Sequence, residues 1–382
     1  MKVYFVTGEP SGDLLASSLM KSLKNRSSDV QFFGVGGETM KDQGLDSLFN
    51  MSELSVMGFF EVLPRLPLIM KRIKQTVADI ERVAPDIIIT VDSWGFVGEL
   101  LGRLRKKNIQ IPKIHYVAPQ VWAWKKGRAK KVAKLTDCLL TLLPYEPQYF
   151  EKYGLKCHFV GHPVVENNMD DVDANKFRKR HNIPEDAEIY TVLPGSRISE
   201  VKRLVPVFKK ALDLIAQKTG DFFIVVPTVE TVVDEIKKAF DDTNCRIVAG
   251  RSERYAAFKA SKAAIAASGT VSLELVACGT PHIIAYKFNT VTNFFADIIV
   301  KIKYVNLINI LCDREIIPEF TLDECRADLI AAKIIELKDK SIARAMMNDA
   351  AEGFRKLSPS DMHPSERAAE IVCQMIAANA NN

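Results

Sequence analysis

The sequence predicts an α/β fold: two Rossmann-like domains, each with a parallel sheet, facing one another across a cleft. Three observations predict it. Short apolar runs alternate with longer stretches of helical periodicity along the 382 residues, the pattern of strands joined by crossover helices. The short runs are continuously apolar rather than alternating, as in strands buried on both faces. The plan then repeats after a polar stretch at residues 163–188. The boundary falls near residues 163–175 and divides the chain into domains 1–165 and 166–345 with a helical tail 346–382.

In the first domain the strand runs are KVYFVT (2–7), DIIITV (86–91), KIHYV (113–117), CLLTLL (138–143) and CHFVG (157–161). In the second they are IYTVL (189–193), FFIVV (222–226), CRIVA (245–249), AAIAA (263–267) and HIIAY (282–286). The stretch from about 342 to 378 reads as amphipathic helix that packs back on the first domain or serves a partner.

Composition narrows the function. The chain is 47% hydrophobic with a formal charge of +5, a pI near 8.7 and a mean hydropathy near zero. That is too mildly basic for a dedicated nucleic-acid binder, but it suits anionic small molecules or an anionic membrane face. No apolar run reaches the roughly 18 residues of a membrane-spanning helix, and the start lacks a signal-peptide pattern, so a cytosolic protein is expected. Seven scattered cysteines form no C-x-x-C pair and are expected to be buried, reduced thiols. Metal ligation is not expected, since the D-x-D string at 171–173 sits in the polar linker.

The strand ends carry the chemistry. In VLPGSRISEVKRL (192–204) a strand stops at Pro194, Gly195 permits a sharp turn, and Ser196 leads into a helix whose apolar face takes Ile198, Val201, Leu204 and Val205. Free N–H groups, a positive dipole end and Arg197 meet there, an anion site in outline. In AASGTVSLE (266–274) Ser268, Gly269 and Thr270 open another helix, and Glu274 lies one turn on, placed to accept hydroxyls of a ribose. Two such loops in one domain fit a diphosphate and its nucleoside.

In the first domain TGEPSGD (7–13) resembles a nucleotide loop without full G-x-G-x-x-G spacing. Gly8 and Gly12 allow close backbone approach, Ser11 can cap the helix, and Glu9 suits hydroxyl recognition better than phosphate. Asp92 ends the run DIIITVD, where ligands bind in open α/β sheets; a general base and a helix cap both stand open for it. Trp122 and Trp124 flank a basic loop and serve either sugar or lipid contact or local packing. His115 lies within a strand and reads as satisfied by packing; His162 reads as a hinge contact or cleft residue. The segment 55–75, with Met57, Phe59, Phe60, Leu66, Ile69 and Met70 beside Arg65, Lys71, Arg72 and Lys74, is either core helix or a membrane-interface and acyl-contact segment.

These blocks together resemble the lipid-A-disaccharide synthase family, inverting glycosyltransferases of the two-domain GT-B type. The resemblance rests on GEPSGD (8–13), SVMGFFEVL (55–63), VDSWGF (91–96), HYVAPQVWAW (115–124), FVGHP (159–163), LPGSRISEV (193–201), ASGTVSLE (267–274) and YVNLINIL (304–311). It implies transfer of 2,3-diacylglucosamine from UDP-2,3-diacylglucosamine to 2,3-diacylglucosamine 1-phosphate, giving a β-1,6-linked disaccharide and UDP without a metal cofactor. Asp92, Arg197 and Asn309 match polar residues important in the family, and Glu9 matches its first-loop glutamate. The resemblance places Gly195, Ser196, Arg197, Ser268, Gly269, Thr270, Glu274 and Asn309 on the donor, and Glu9, Ser11, Gly12, Trp122 and Trp124 on the acceptor. The family's second acid after the strand-end aspartate is missing, because Trp94-Gly95-Phe96-Val97 follows here. Expected partners are the two lipid substrates and the inner-membrane surface, with no nucleic acid; a homo-oligomer is allowed. The rival readings are another UDP-sugar enzyme of the same fold, such as a 2-epimerase or lipid-linked sugar transferase, and a non-catalytic peripheral nucleotide-sugar binder.

Overall fold

The computed structural model describes residues 1–54, 59–121, 127–169, 171–241, 244–267, 271–287 and 303–380. Two compact units emerge: Met1–Glu166 with Leu357–Asn382, and Asn167–Lys356. The first contains β1 (Lys2–Thr7), α1 (Pro10–Arg26), β2 (Gln31–Val35), α2 (Glu38–Lys41), α3 (Phe59–Val83), β3 (Ile87–Val91), α4 (Trp94–Lys106), β4 (Lys113–Tyr116), α5 (Gly127–Leu135), β5 (Cys138–Thr141), α6 (Gln148–Glu151) and β6 (Lys156–Phe159). The second runs through α7 (Ala174–Arg180), β7 (Ile189–Leu193), α8 (Ile198–Thr219), β8 (Phe223–Thr228), α9 (Val233–Ala239), β9 (Cys245–Ala249), α10 (Arg251–Ala260), β10 (Ala263–Ala266), α11 (Val271–Ala277), β11 (His282–Tyr286), α12 (Leu307–Cys312), β12 (Glu319–Thr321), α13 (Ala327–Glu336) and α14 (Lys340–Arg355). The chain then returns to the first unit as α15 (Pro364–Ala380).

Among the described residues each unit has one six-stranded sheet, ordered β2-β1-β3-β4-β5-β6 and β12-β11-β10-β7-β8-β9. The pairings are parallel. The central strands β3 and β7 are buried along their whole length, as continuous apolarity predicts. The sequence reading missed two strands, β2 and β12, and both are edges. An edge strand pairs on one side only and can be short: β2 is five residues and β12 three.

The helical tail divides. α14 stays in the second unit, whereas α15 packs on α1, with Ala368, Ala369, Ile371 and Val372 joining the core of Leu15, Leu19 and Leu23. All seven cysteines are free, but only Cys138 and Cys325 are fully buried. Ile198 was expected on the apolar face of α8 and is instead 48% exposed, ahead of the buried stripe of Val201, Leu204 and Val205.

Candidate functional site

In the first unit the sheet order reverses at β1 and β3, so their following loops part to opposite sides, the place where open α/β sheets bind ligands. The two loops touch. A Cβ on Gly8, just after β1, would lie 2.8 Å from Ser93 Oγ, just after β3. Asp92 and Ser93 both adopt left-handed backbone (φ 51° and 44°), a strained state for side-chain-bearing residues that clusters at functional sites. At the end of neighbouring β4, Val117 does the same (φ 79°).

Asp92 is not the helix cap. That position belongs to Ser93, whose side chain makes no capping bond. The Asp92 amide donates to Tyr116 O at 2.9 Å, which leaves its half-buried carboxyl at the strand end. Burial raises that carboxyl above the ordinary aspartate range, and the Ser93 N–H pulls it back in part. Three buried polar atoms in this region have no hydrogen-bond partner among the described residues: Ser93 Oγ, His115 Nε2 and Tyr116 Oη. His115 is therefore satisfied on one side only. Its Nδ1 meets Thr90 Oγ1 at 2.9 Å, and since that hydroxyl donates to Ile114 O, Nδ1 is the donor. Burial pushes the ring down to about 3, so it is neutral.

The remaining first-unit residues have defined places. Glu9, not Ser11, is the N-cap residue of α1; Pro10 opens the helix and Ser11 is exposed in its first turn. Gly12 is buried against Thr7 and Val91, which seats α1 on the sheet. Asp13 holds the start of α2 through Gly37 N (2.6 Å) and Thr39 N (2.9 Å). His162 is buried, with Nδ1 accepting from Val164 N at 3.2 Å. Trp122, Trp124 and Met57 lie outside the described residues, as do the side chains of Phe59 and Phe60. α3 answers as two parts. Leu66 is 41% exposed; Ile69 and Met70 are partly buried against the core; Ile73, Val77 and Ile80 are fully in it.

In the second unit the order reverses at β7 and β10, and a cavity of about 510 Å³ opens there. Gly195, Ser196 and Arg197 line it from the end of β7, and Glu274 from α11. Ser268, Gly269 and Thr270 lie outside the described residues, though their flanks Ala267 and Val271 both line the cavity. Gly195 takes φ +108°, Arg197 is the N-cap residue of α8, and its Nη1 donates to Glu200 Oε1 at 3.1 Å.

Sequence reasoning missed Arg251 and Arg254, which enter the cavity from α10, after β9. The signal available was GRSER (250–254), a strand-end glycine followed by two arginines three apart, which puts both on one helix face. Arg254 Nη2 donates to Glu274 Oε1 at 2.8 Å. Asn309, by contrast, does not line the cavity. It is fully buried, its Nδ2 donating to Ile317 O and Glu319 Oε1 and its Oδ1 accepting from Ile316 N and Ile317 N. Any effect of Asn309 on a ligand passes through the loop it braces.

A guanidinium-lined cavity at the switch point of one Rossmann-like unit and an ionisable carboxyl at the switch point of the other describe a nucleotide-sugar enzyme without naming its reaction. The comparisons do. The family model described as lipid-A-disaccharide synthetase matches residues 3–372. The lipid-A-disaccharide synthase of Paramagnetospirillum magneticum is 46% identical over 381 residues, covering 98% of each chain. That of Rhodospirillum centenum is 44% identical over 378 residues, covering 98% of this chain and 94% of the relative. Among solved structures, the Staphylococcus aureus MnaA–UDP complex superposes with a TM-score of 0.67 at 13% identity, covering 100% of this chain and 97% of that one; this likeness shows the GT-B fold alone. With the family model and the relatives spanning nearly the whole chain, the chain belongs to the lipid-A-disaccharide synthase family, glycosyltransferases of lipid A biosynthesis.

Proposed function

We propose that the second unit binds UDP-2,3-diacylglucosamine by its nucleotide and that Asp92 activates the 6-hydroxyl of 2,3-diacylglucosamine 1-phosphate for in-line, inverting displacement of UDP. The observation that carries this reading is the difference in chemistry at equivalent places. One switch point has Arg197, Arg251 and Arg254 lining its cavity; the other has a half-buried carboxyl on strained backbone. Cations suit the diphosphate in the ground state and more so the UDP leaving group as charge develops. A carboxylate whose proton affinity is raised by burial is a better base for a sugar hydroxyl than a solvated one. Glu274 accepts ribose hydroxyls. Exposed Val229 on the cavity wall, and Ile198 beside Arg197, give apolar surface near the nucleotide site that suits an acylated donor.

No described helix is long and apolar enough to cross a membrane. We place the enzyme on the cytoplasmic face of the inner membrane, attached through the exposed residues 64–67 of α3, where Leu66 follows exposed Arg65 and Lys71 lies about a turn on. The test of function is UDP release from the diacylated donor with diacylated and with non-acylated glucosamine 1-phosphate as acceptor. Turnover with the diacylated acceptor alone is expected. Equal turnover with both, or none with either, overturns the substrate assignment.

A further inference from the structure

We propose that Arg254 is a positioning residue: it turns the Glu274 carboxylate so that one oxygen stays open to a vicinal diol of the bound nucleotide. The proposal rests on the reading that the second unit holds UDP with its ribose at Glu274.

The hydrogen-bond directions around Glu274 are determined by valence. Tyr255 Oη accepts from Arg251 Nε at 3.0 Å and from Asn167 Nδ2 at 3.0 Å. Both acceptor positions of the hydroxyl are then filled, so its single proton goes to the remaining neighbour, Glu274 Oε1, at 3.3 Å. Arg254 Nη2 donates to that same oxygen at 2.8 Å. Oε1 thus takes two protein donors, one of them cationic. Oε2 takes none among the described residues, and Glu274 lines the cavity. A carboxylate presenting one oxygen to a 2′,3′-diol needs the other held still; without that hold it rotates or takes up a proton.

The titratable and charged groups facing Glu274 are Arg254, Arg251 and Tyr255 from α10, Cys278 in the turn just after its own helix, and Arg197 and Glu200 elsewhere on the cavity wall. Burial raises the Glu274 carboxyl, and Arg254, Tyr255 and Arg251 counter it. Removing Arg254 removes the leading counterweight, so the carboxyl titrates higher. Arg251 is fastened to Asn167 and stacked 5.5 Å from the Tyr255 ring, and it supports the relay from behind.

The experiment is calorimetric titration of the full chain with UDP and with 2′-deoxy-UDP between pH 6 and 9, for the native protein and for Arg254→Gln, Arg254→Lys and Glu274→Gln. The native protein is expected to prefer UDP by about tenfold, the size of a hydrogen bond to a charged group, at every pH. Arg254→Gln should lose most of that preference, and lose more of it as the pH falls. Arg254→Lys should retain it, which also controls for folding. If Arg254→Gln weakens both nucleotides equally at every pH, the guanidinium is a plain anion contact and the positioning role is wrong. If Glu274→Gln keeps the native preference, the ribose is not at Glu274, and the underlying reading fails first.

Discussion

Asp92 shows how far a single residue is legible. Its place at the end of a continuous apolar run marks it as strand-terminal, but a cap and a base look alike in one dimension. The structure gives the cap position to Ser93, and the base is the role proposed above for Asp92. Asp92→Asn is expected to lower kcat by about 10²- to 10⁴-fold, the range of general-base catalysis, while UDP affinity in the second unit stays at its native value. A base must be ionised to act. Because burial raises the Asp92 carboxyl, the acid limb of kcat/KM should lie above the ordinary aspartate range, and activity should fall as pH drops through it. Glu146 makes a separate prediction about stability. It is buried, accepts Leu142 N and Leu143 N on one oxygen, and is pushed up to about 7 by burial from the ordinary 4.5. The folded state therefore holds this proton where the unfolded chain has released it, and stability falls as pH rises from about 4.5 to 7. Glu146→Gln keeps an acceptor oxygen for both N–H groups, should flatten that slope in urea unfolding, and should gain about 1–3 kcal/mol above pH 7.

At the scale of elements, composition left helix α3 as either core or membrane-interface segment. Its later turns are core, through Ile73, Val77 and Ile80, and residues 64–67 around Leu66 are exposed. One apolar-rich, basic stretch reads the same either way, because hydropathy does not say which partner covers a face. Leu66→Asp removes exposed apolar surface without touching the buried turns. It is expected to weaken co-sedimentation with anionic phospholipid vesicles severalfold while leaving the thermal midpoint within a few degrees. Unchanged sedimentation would show that α3 does not carry the attachment. The missed elements teach the complementary lesson. β2 and β12 are short edge strands, and α10 contributes Arg251 and Arg254 from a third strand end that no glycine-rich phosphate pattern announced.

At the scale of the molecule, the first unit is discontinuous in sequence. Leu357 O accepts from His162 N at 2.9 Å, Glu166 Oε1 accepts from Ser365 N at 2.5 Å, and Ser22 bonds Ser365. α15 completes the apolar core over α1. A chain ending at Lys356 should lose the burial of Ile371 and Val372, each worth about 1.5–3 kcal/mol, and leave the apolar face of α1 open. Calorimetry is expected to show the first unit melting several degrees lower or failing to fold, with the second unit's transition retained; a native first transition would overturn the role given to α15. The sequence by itself determined the α/β class, the paired domains, every strand but β2 and β12 among those described, and the loops whose glycine, serine and aspartate end them. These signals are local, because periodicity and turn chemistry are written within a few residues. Tertiary structure alone decided what depends on residues far apart in the chain. It brought Arg254 to Glu274, turned Asn309 inward to brace a loop, divided the tail between two units and set the sheet edges, because those outcomes follow from which surfaces meet.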